Sequence, residues 1–442
     1  MAMVVKNNMS AVNTLNILNR NQSALAKSLQ KVSSGMKIND AGDDASGYAI
    51  SERMRVQIRS LDQDKQNTQN GNSMMKTAEG AVASTVEILK TLKEKAINAA
   101  NDTNTDEDRR TIQKEINQMV DQIDDNALAT YNGKYLVDGS RNSIGTATCT
   151  TLTNNALSTA SAWGSALTSL QSRQNESLNI QSTDNVTVSY VRQGKTYTTT
   201  FSVGTTNALS DIIAKAAYNG TASLGGTDLV KNQTVGAFIG LDKAGNSVYT
   251  ADNKTALSIS AAGAGTTYQI SAFTIGISDN TGALRKTANT ALDNFNERIR
   301  AENKSEDNAL VLQTGVKSNQ AIKVSMTDMR SLALGMKGTD GSVISVQTQD
   351  KANAAINSID SALQKALDEQ ANIGAVQTRL RYTASNLTTQ SENVQNSEST
   401  IRDADMAKEM TEYTKNNVLL QAAQSMLAQA NQNSSAVLSL LR

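Results

Sequence analysis

The chain has 442 residues with 42 Lys and Arg against 42 Asp and Glu, so it lacks the basic excess that nucleic-acid binding requires. It contains no His, which excludes His-assisted nucleophiles and the common zinc sites, and its single Cys, Cys149, cannot form an intramolecular disulfide. Aromatic residues make up only 3% of the chain, which argues against one large globular core and favours narrow seams between helices.

The first 36 residues have the apolar spacing of a coiled-coil helix. The spacing steps by four and three through Leu18, Gln22, Leu25, Leu29 and Val32. The pattern stops at SSGMKINDAGDDASG, residues 33–47, where glycines and a cluster of Asp and Asn indicate a turn or spoke, with an N-cap rather than a calcium loop.

A second, longer helix is predicted from near Asp44 to about Ala100. Its seam keeps the three-four spacing through Met75, Ala78, Val82, Thr85, Leu89, Leu92, Ala96 and Ala99. The segment NDTNTDED, residues 101–108, ends this helix and supplies acids to the positive end of a third helix. The apolar face of the third helix consists of Ile112, Ile116, Met119 and Ile123. Asn132-Gly133 then predicts a tight turn between two short strands.

The composition changes from about Ser140 to about Arg300, where Ser, Thr, Gly and Asn dominate. The segment 185–203 predicts a hairpin, because β-branched and aromatic residues flank Gln193-Gly194. Several further strands and a short helix over 208–218 are predicted. This region is interpreted as an inserted, mainly β domain.

The remaining segments return to helical spacing after a predicted hairpin over 309–326. A long helix is predicted from about Asp350 to Ser397, and a last helix starts near Ser397 or Ser399. The seam of the long helix is Ile359, Leu363, Ala366, Ile373, Leu380, Ala384, Leu387 and Val394. The seam of the last helix is Leu419, Ala423, Met426, Ala430, Asn433, Val437 and Leu440.

These elements predict an α+β fold, with a long coiled-coil-like helical bundle built from both chain ends and a mainly β inserted outer domain. The predicted divisions are an N-terminal helix and spoke (1–44), N-terminal rod helices (45–140), a variable β-rich insert (141–304), a C-terminal rod hairpin and helix (305–398) and a C-terminal helix (399–442). Segments 1–36 and 399–442 have few large apolar side chains, so we expect them to order only when copies pack together. The alternative is a capping helix in a monomeric bundle.

No catalytic constellation rises above background, so we expect no enzyme, no cofactor and no metal site. The Gly263 loop lacks the Gly-Lys-Ser/Thr ending of a phosphate loop. Cys149 has no visible partner in the sequence and is interpreted as a stray thiol. The N-terminus lacks the apolar core of a secretory signal, and no run of 18 apolar residues predicts membrane insertion.

Several long motifs, in the right order, resemble bacterial flagellin. They are VSSGMKINDAGDDASGYAISERMRVQIRSL (32–61), ANIGAVQTRL (371–380), and the C-terminal segment 398–442 with LAQANQ and VLSLLR. The resemblance covers about 1–140 and 305–442, and the middle does not match. It implies a homopolymer: the subunit of a hollow helical flagellar filament used for swimming. The subunit leaves the cell unfolded by flagellar type III export, joins the filament tip beneath a cap, and is extracellular.

The resemblance also implies roles for particular residues. The inner tube of the filament would be packed by Val5, Met9, Val12, Leu15, Leu18, Leu25, Leu29, Val32, Leu419, Leu420, Ala423, Met426, Leu427, Ala430, Val437 and Leu440. The spoke between tubes would be shaped by Gly35, Asp40, Asp43, Asp44 and Gly47. The rod seam would contain Met75, Val82, Leu89, Leu92, Ile112, Ile116, Ile359, Leu363 and Leu380. Implied partners are the filament cap, the hook–filament junction protein and an export chaperone at the C-terminal helix.

One departure concerns the epitope read by the flagellin-sensing Toll-like receptor. The aligned segment is KTLKEKAI, residues 90–97, where Thr91 stands in place of the family's Arg and Lys95 in place of a Leu. The implied epitope positions are Leu89, Thr91, Glu94, Lys95 and Glu115. Loss of the Arg removes bidentate bonding, and a Lys in an apolar contact costs desolvation, so we expect weak or no receptor activation.

Three other functions compete with the filament subunit. A hook–filament junction protein would share the helical ends, but the C-terminal signature here is nearly complete. An enzyme carried in the insert is disfavoured because the chain lacks His. A surface adhesin that binds through the Ser/Thr-rich insert could coexist with the filament role.

Overall fold

The computed structural model describes residues 8–216, 229–235, 238–250 and 252–440. The chain divides into two units. The terminal unit consists of Met1–Thr68, Gln313–Gln320 and Tyr382–Arg442. The central unit consists of Gln69–Leu312 and Ala321–Arg381.

Long helices form both ends of the described chain. The α-helices in the described ranges are α1 (Met9–Ser34), α2 (Ala45–Ala100), α3 (Asp106–Ala127), α4 (Leu209–Ala216), α5 (Lys286–Leu292), α6 (Gln349–Arg402) and α7 (Met406–Leu440). The predicted order of helices, β insert and helices is confirmed, and the fold is α+β with a helical bundle built from both chain ends.

The strands between α3 and α6 pair antiparallel. They are β1 (Thr130–Tyr131), β2 (Lys134–Tyr135), β3 (Thr151–Asn154), β4 (Asn185–Arg192), β5 (Lys195–Ser202), β6 (Leu229–Val235), β7 (Phe238–Leu241), β8 (Ser247–Tyr249), β9 (Ala256–Ala261), β10 (Ile270–Ser278), β11 (Phe295–Ile299), β12 (Leu310–Gln313) and β13 (Ala321–Val324). One sheet has the order β10-β4-β5 and another β11-β3-β9-β6. The predicted hairpins are confirmed as β1-β2, β4-β5 and β12-β13.

In the terminal unit, α1 and α7 lie antiparallel. Asn8 Nδ2 donates to Ala430 O at 3.2 Å, and Asn21 Nδ2 donates to Leu419 O at the same distance. Asn416 Nδ2 donates to Ser28 Oγ at 2.9 Å. Amide side chains of both helices therefore bond across the pair, beside apolar side chains that are only half-buried.

The break between α6 and α7 lies later than the sequence predicted. Instead of a new helix starting near Ser397 or Ser399, α6 continues to Arg402 and α7 begins at Met406. Ser397 Oγ bonds Asn393 O one turn back, so this serine sits inside the helix and does not cap a new one. Asp405 is the actual cap, because its Oδ1 accepts from the backbone N–H of Ala407 and of Lys408.

The central unit has two cores, and the first joins the C-terminal half of α2, α3 and the N-terminal part of α6. Its fully buried members include Met75, Leu89, Leu92, Ile116, Ile123 and Ile359. A capping box starts α3, where Thr105 and Asp108 bond each other's backbone N–H groups. Arg109 then donates from Nε to Ala99 O at 2.9 Å, which satisfies a carbonyl at the end of α2.

A second core fills the β-rich insert. It includes Trp163, Leu167, Val186, Val188, Ile259, Phe273 and Ile277. The β4-β5 hairpin turns at Gln193 and Gly194, whose φ values are 51° and 70°. Two successive residues with positive φ are typical of the tight turns that match strand twist.

Candidate self-assembly surface

The apolar residues predicted for the inner tube divide into two groups on the α1–α7 pair. The exposed group has side chains from 42% exposed at Leu419 to 62% at Met9 and Met426. It contains Met9, Val12, Leu15, Leu29, Leu419 and Met426. All of them belong to the predicted inner-tube set, and their exposure shows that the helix pair of a single chain leaves them largely uncovered.

The other group is covered by the partner helix, and only partly. Leu18, Leu25, Val32, Leu420, Leu427 and Ala430 are half-buried, and Ala423 is buried. Among the described side chains of α1 and α7, Ser28 and Ala423 alone reach full burial. Val5 and the side chains of Val437 and Leu440 lie outside the described residues.

Sequence spacing missed several exposed apolar residues on the same helices. Ile17, Met410 and Val418 lie outside the predicted seam and are 45–57% exposed. An open groove of about 600 Å³ lies along α7 beside Met410, Val418 and Leu419. The sequence did contain a signal for these residues, namely apolar side chains that lie off the seam. A helix that buries a single apolar stripe against one partner needs no apolar residues outside that stripe.

The predicted spoke residues form a compact turn between α1 and α2. Gly35 ends α1 in the left-handed conformation with φ 70°, and its N–H bonds Lys31 O at 2.9 Å. Asp44 Oδ1 accepts from the backbone N–H of Ser46 and of Gly47, each at 3.0 Å, which caps α2. A Cβ at Gly47 would lie 2.5 Å from Asp44 Oδ2 and 2.7 Å from the Cδ1 of buried Ile38, so a larger residue here would displace the capping carboxylate or the Ile38 side chain.

Two further acids stabilise the same turn. Asp43 Oδ2 accepts from Asn39 N at 3.2 Å, and Asp40 Oδ1 accepts from Gly42 N at 2.9 Å. Each aspartate therefore bonds backbone within the turn, as Asp and Asn commonly do in such loops.

The predicted rod-seam residues lie together in the central unit. Met75, Val82, Leu89, Leu92, Ile116, Ile359 and Leu380 are fully buried in one cluster, and Ile112 and Leu363 pack against it half-buried. Complete burial of large aliphatic side chains contributes roughly 2 kcal/mol each, which is ample for a stable helical core.

The predicted receptor positions span a buried and an exposed part of α2. Leu89 is fully buried, Thr91 and Lys95 are half-exposed, and Glu94 is exposed. Lys95 Nζ lies 2.9 Å from Glu115 Oε2 on α3.

Within the described ranges, no group of three or more His, Cys, Asp and Glu side chains is placed to hold a metal ion. A search of the same residues for helices found none with the length and apolar content needed to cross a membrane.

Models of two protein regions match the ends of the chain. The bacterial flagellin N-terminal helical region matches residues 5–142, and the bacterial flagellin C-terminal helical region matches residues 356–441. Among solved structures, flagellar hook-associated protein-3 of Legionella pneumophila covers 78% of this chain and 97% of its own at 16% identity, with a TM-score of 0.32.

Curated relatives extend the match across the insert. A flagellin of Clostridium tyrobutyricum is 35% identical over 432 residues, covering 97% of this chain and 99% of its own. The flagellar filament 31.3 kDa core protein of Treponema maltophilum is 28% identical over 441 residues and matches both chains completely. The chain belongs to the bacterial flagellin family, a family of structural proteins that build the flagellar filament.

Proposed function

We propose that this chain polymerises through α1 and α7 into the hollow helical filament of an extracellular flagellum that drives swimming. In this proposal the subunit is exported unfolded by flagellar type III secretion and adds at the filament tip. The observation that carries the proposal is the contrast in burial between the terminal helices and the central core.

The α1–α7 pair buries too little apolar surface to be stable on apolar burial alone. Its fully buried side chains among those described are one serine and one alanine, Ser28 and Ala423, whereas the central core buries many Leu, Ile and Met side chains. Two isolated helices that bury so little cannot offset the entropy of ordering about 60 residues. Packing against further copies would supply the missing burial, roughly 1 kcal/mol for each half-exposed Leu, Val or Met.

Each predicted segment of the chain is assigned a place in the proposed filament. Segments 1–44 and 399–442 line the inner tube, with Gly35 and Gly47 shaping the spoke. Segments 45–140 and 305–398 form the rod, and the insert 141–304 faces the medium. The sequence pattern supports this assignment, since the insert is the part of the chain without coiled-coil spacing.

Three partners are proposed for the assembly pathway. The filament cap and the hook–filament junction protein would meet the α1–α7 surface of the first or last subunit. An export chaperone would bind α7, where Met410, Val418 and Leu419 beside the open groove offer an apolar docking face before polymerisation.

The proposal includes weak activation of the flagellin-sensing Toll-like receptor. Thr91 supplies no guanidinium, and the carboxylate of Glu115 is already paired with Lys95. A receptor cation would have to compete for that carboxylate, which lowers the gain from contact.

The decisive test is seeded polymerisation of the purified chain, followed by negative-stain electron microscopy. Long hollow filaments of uniform diameter are expected after adding sheared filaments or ammonium sulfate. Leu427→Asp is expected to remain monomeric with the central unit folded, because it places a charge in the α1–α7 seam.

A wild-type chain that stays monomeric where another flagellin polymerises would refute the proposal. That result would favour a hook–filament junction protein or an adhesin, and glycan binding by the chain would then be measured.

A further inference from the structure

Arg402, the last residue of α6, is a buried arginine with an incomplete set of partners. Its side chain is 5% exposed. Nη1 lies 2.6 Å from Glu52 Oε1 and 3.4 Å from Ser51 Oγ, and the guanidinium lies 5.3 Å from the centre of the Tyr48 ring. Nε is buried without a hydrogen-bond partner.

This arrangement is poorly suited to stabilising the terminal unit. Burying a guanidinium costs free energy that one ion pair and one aromatic contact offset only in part, and an unpaired buried N–H adds to the cost. An apolar side chain would fill the same space at lower cost. Buried charges of this kind are best known for setting the register of packed helices.

The backbone around Arg402 is bonded to the turn between α1 and α2. Arg402 O accepts from Lys37 N at 2.8 Å, and Ala404 N donates to Gly35 O at 2.9 Å. Lys37 Nζ also donates to Thr400 O at 2.9 Å. The α6–α7 break is thereby tied to the turn between α1 and α2, while the Arg402 side chain reaches the first two turns of α2.

A second ion pair joins the same two long helices one turn away, and its arginine, Arg55, also places Nη1 3.7 Å from Glu52 Oε1. Arg55 Nε lies 3.0 Å from Glu398 Oε1. This second pair holds α2 beside α6, but it does not touch the break itself. Of the two arginines, Arg402 is the one that lies at the break between α6 and α7.

We propose that Arg402 is a positioning residue for polymerisation: its docking against Tyr48, Ser51 and Glu52 sets the direction in which the α1–α7 pair leaves α2 and α6. This proposal rests on the proposed filament function. Subunits whose α1–α7 pair leaves at another angle would present the exposed apolar residues in the wrong orientation to neighbouring copies.

The test compares wild type with Arg402→Gln, Arg402→Lys and Glu52→Gln in seeded polymerisation. Arg402→Gln and Glu52→Gln are expected to raise the critical concentration about tenfold or more, and to change the helical rise or twist of any filaments that form. Arg402→Lys keeps the charge and is expected to restore assembly partly, because Lys lacks the planar stacking group. Arg381→Gln is the matched control, since Arg381 is an exposed arginine on α6.

Unfolding followed by Trp163 fluorescence separates a defect at Arg402 from a loss of folding in the central unit. Trp163 is buried in the insert core, so its transition reports the central unit and is expected to be unchanged in all variants. The proposal would be overturned if Arg402→Gln and Glu52→Gln form filaments with the wild-type critical concentration and helical parameters. It would also be overturned if an assembly defect appears only together with a shifted Trp163 transition. A wild-type chain that never polymerises would remove the filament function and this inference together.

Discussion

Lys95 on α2 and Glu115 on α3 form an ion pair, with Nζ and Oε2 2.9 Å apart and with both side chains partly exposed. Exposed pairs of this kind contribute less than about 1 kcal/mol to stability. The pair therefore affects the binding of other molecules to these two charges more than it affects the stability of the subunit. In this chain the Glu115 carboxylate is occupied from within the subunit, beside the half-exposed Thr91.

The double variant Thr91→Arg, Lys95→Leu is expected to activate the flagellin-sensing Toll-like receptor more strongly than wild type. Arg at position 91 would add a bidentate donor, and Leu at position 95 would free Glu115 and remove a charge from an apolar contact. A dose–response curve of purified monomer on reporter cells should move to doses at least about tenfold lower.

Lys90→Leu is the control for the receptor prediction. Lys90 pairs with Glu87 on the same helix at 3.1 Å, so its loss removes a similar surface charge without freeing Glu115. Equal curves for wild type and the double variant, or full-strength signalling by wild type, would contradict the prediction.

Met426→Asp is expected to prevent seeded filament growth while leaving the subunit folded. Met426 is 62% exposed, so the substitution disturbs little packing inside the subunit, whereas a neighbouring copy would bury the new charge. Sedimentation and electron microscopy measure the loss of polymer.

Leu241→Asp provides the matched change on the insert. Leu241 is 54% exposed on β7, and its substitution is expected to give filaments of normal length and yield. Normal filaments from Met426→Asp would argue against burial of this residue between copies.

The long helices could be predicted from sequence because their signals are local. Three-four spacing marks the cores of α2, α3 and α6, Asn132-Gly133 marks a hairpin, and Asp44 caps α2 as expected. In each case neighbouring residues decide the conformation, so no information from the distant chain was needed.

The terminal unit was harder to predict because its contacts join opposite ends of the chain. Spacing placed Leu18 and Leu29 on one seam, yet Leu18 is half-buried against α7 and Leu29 is 52% exposed. On a helix with few large apolar residues, periodicity does not tell which stripe meets the partner helix. The burial of Arg402 could not be predicted for the same reason, since Ser51 and Glu52 lie 351 and 350 residues away, whereas the cap Asp405 was a local signal that the spacing analysis did not use.

Gly194→Ala is expected to destabilise the central unit far more than Gly133→Ala. Both glycines end hairpin turns at positive φ, 70° and 73°, which costs a non-glycine residue roughly 1 kcal/mol. At Gly194 a Cβ would also overlap the backbone oxygen of Ser342, whereas at Gly133 no atom lies within 4 Å. Urea unfolding followed by Trp163 fluorescence should show a loss several times larger for Gly194→Ala. Similar losses would mean that the hairpin tip moves away from Ser342 without cost.

Glu297→Gln is expected to flatten the pH dependence of central-unit stability. Burial raises the pKa of Glu297 from 4.5 to about 7, against the opposing effects of Arg300 and the buried Lys365. The folded state therefore binds this proton more tightly than the unfolded state, so the stabilisation is complete below pH 4.5 and is lost as the pH rises to about 7.

The total change from Glu297 is on the order of 3 kcal/mol. Glu369, whose pKa burial also raises, acts in the same direction and leaves a residual slope in the variant. Burial lowers the pKa of Lys365, which gives a slope of the opposite sign in both chains, so urea unfolding is measured between about pH 4.5 and 7.5 and the difference in slope between wild type and variant is assigned to Glu297. Glu306→Gln, a change at an exposed acid, should keep the wild-type slope. A Glu297→Gln slope equal to that of wild type would show that this carboxyl is ionised in the folded chain.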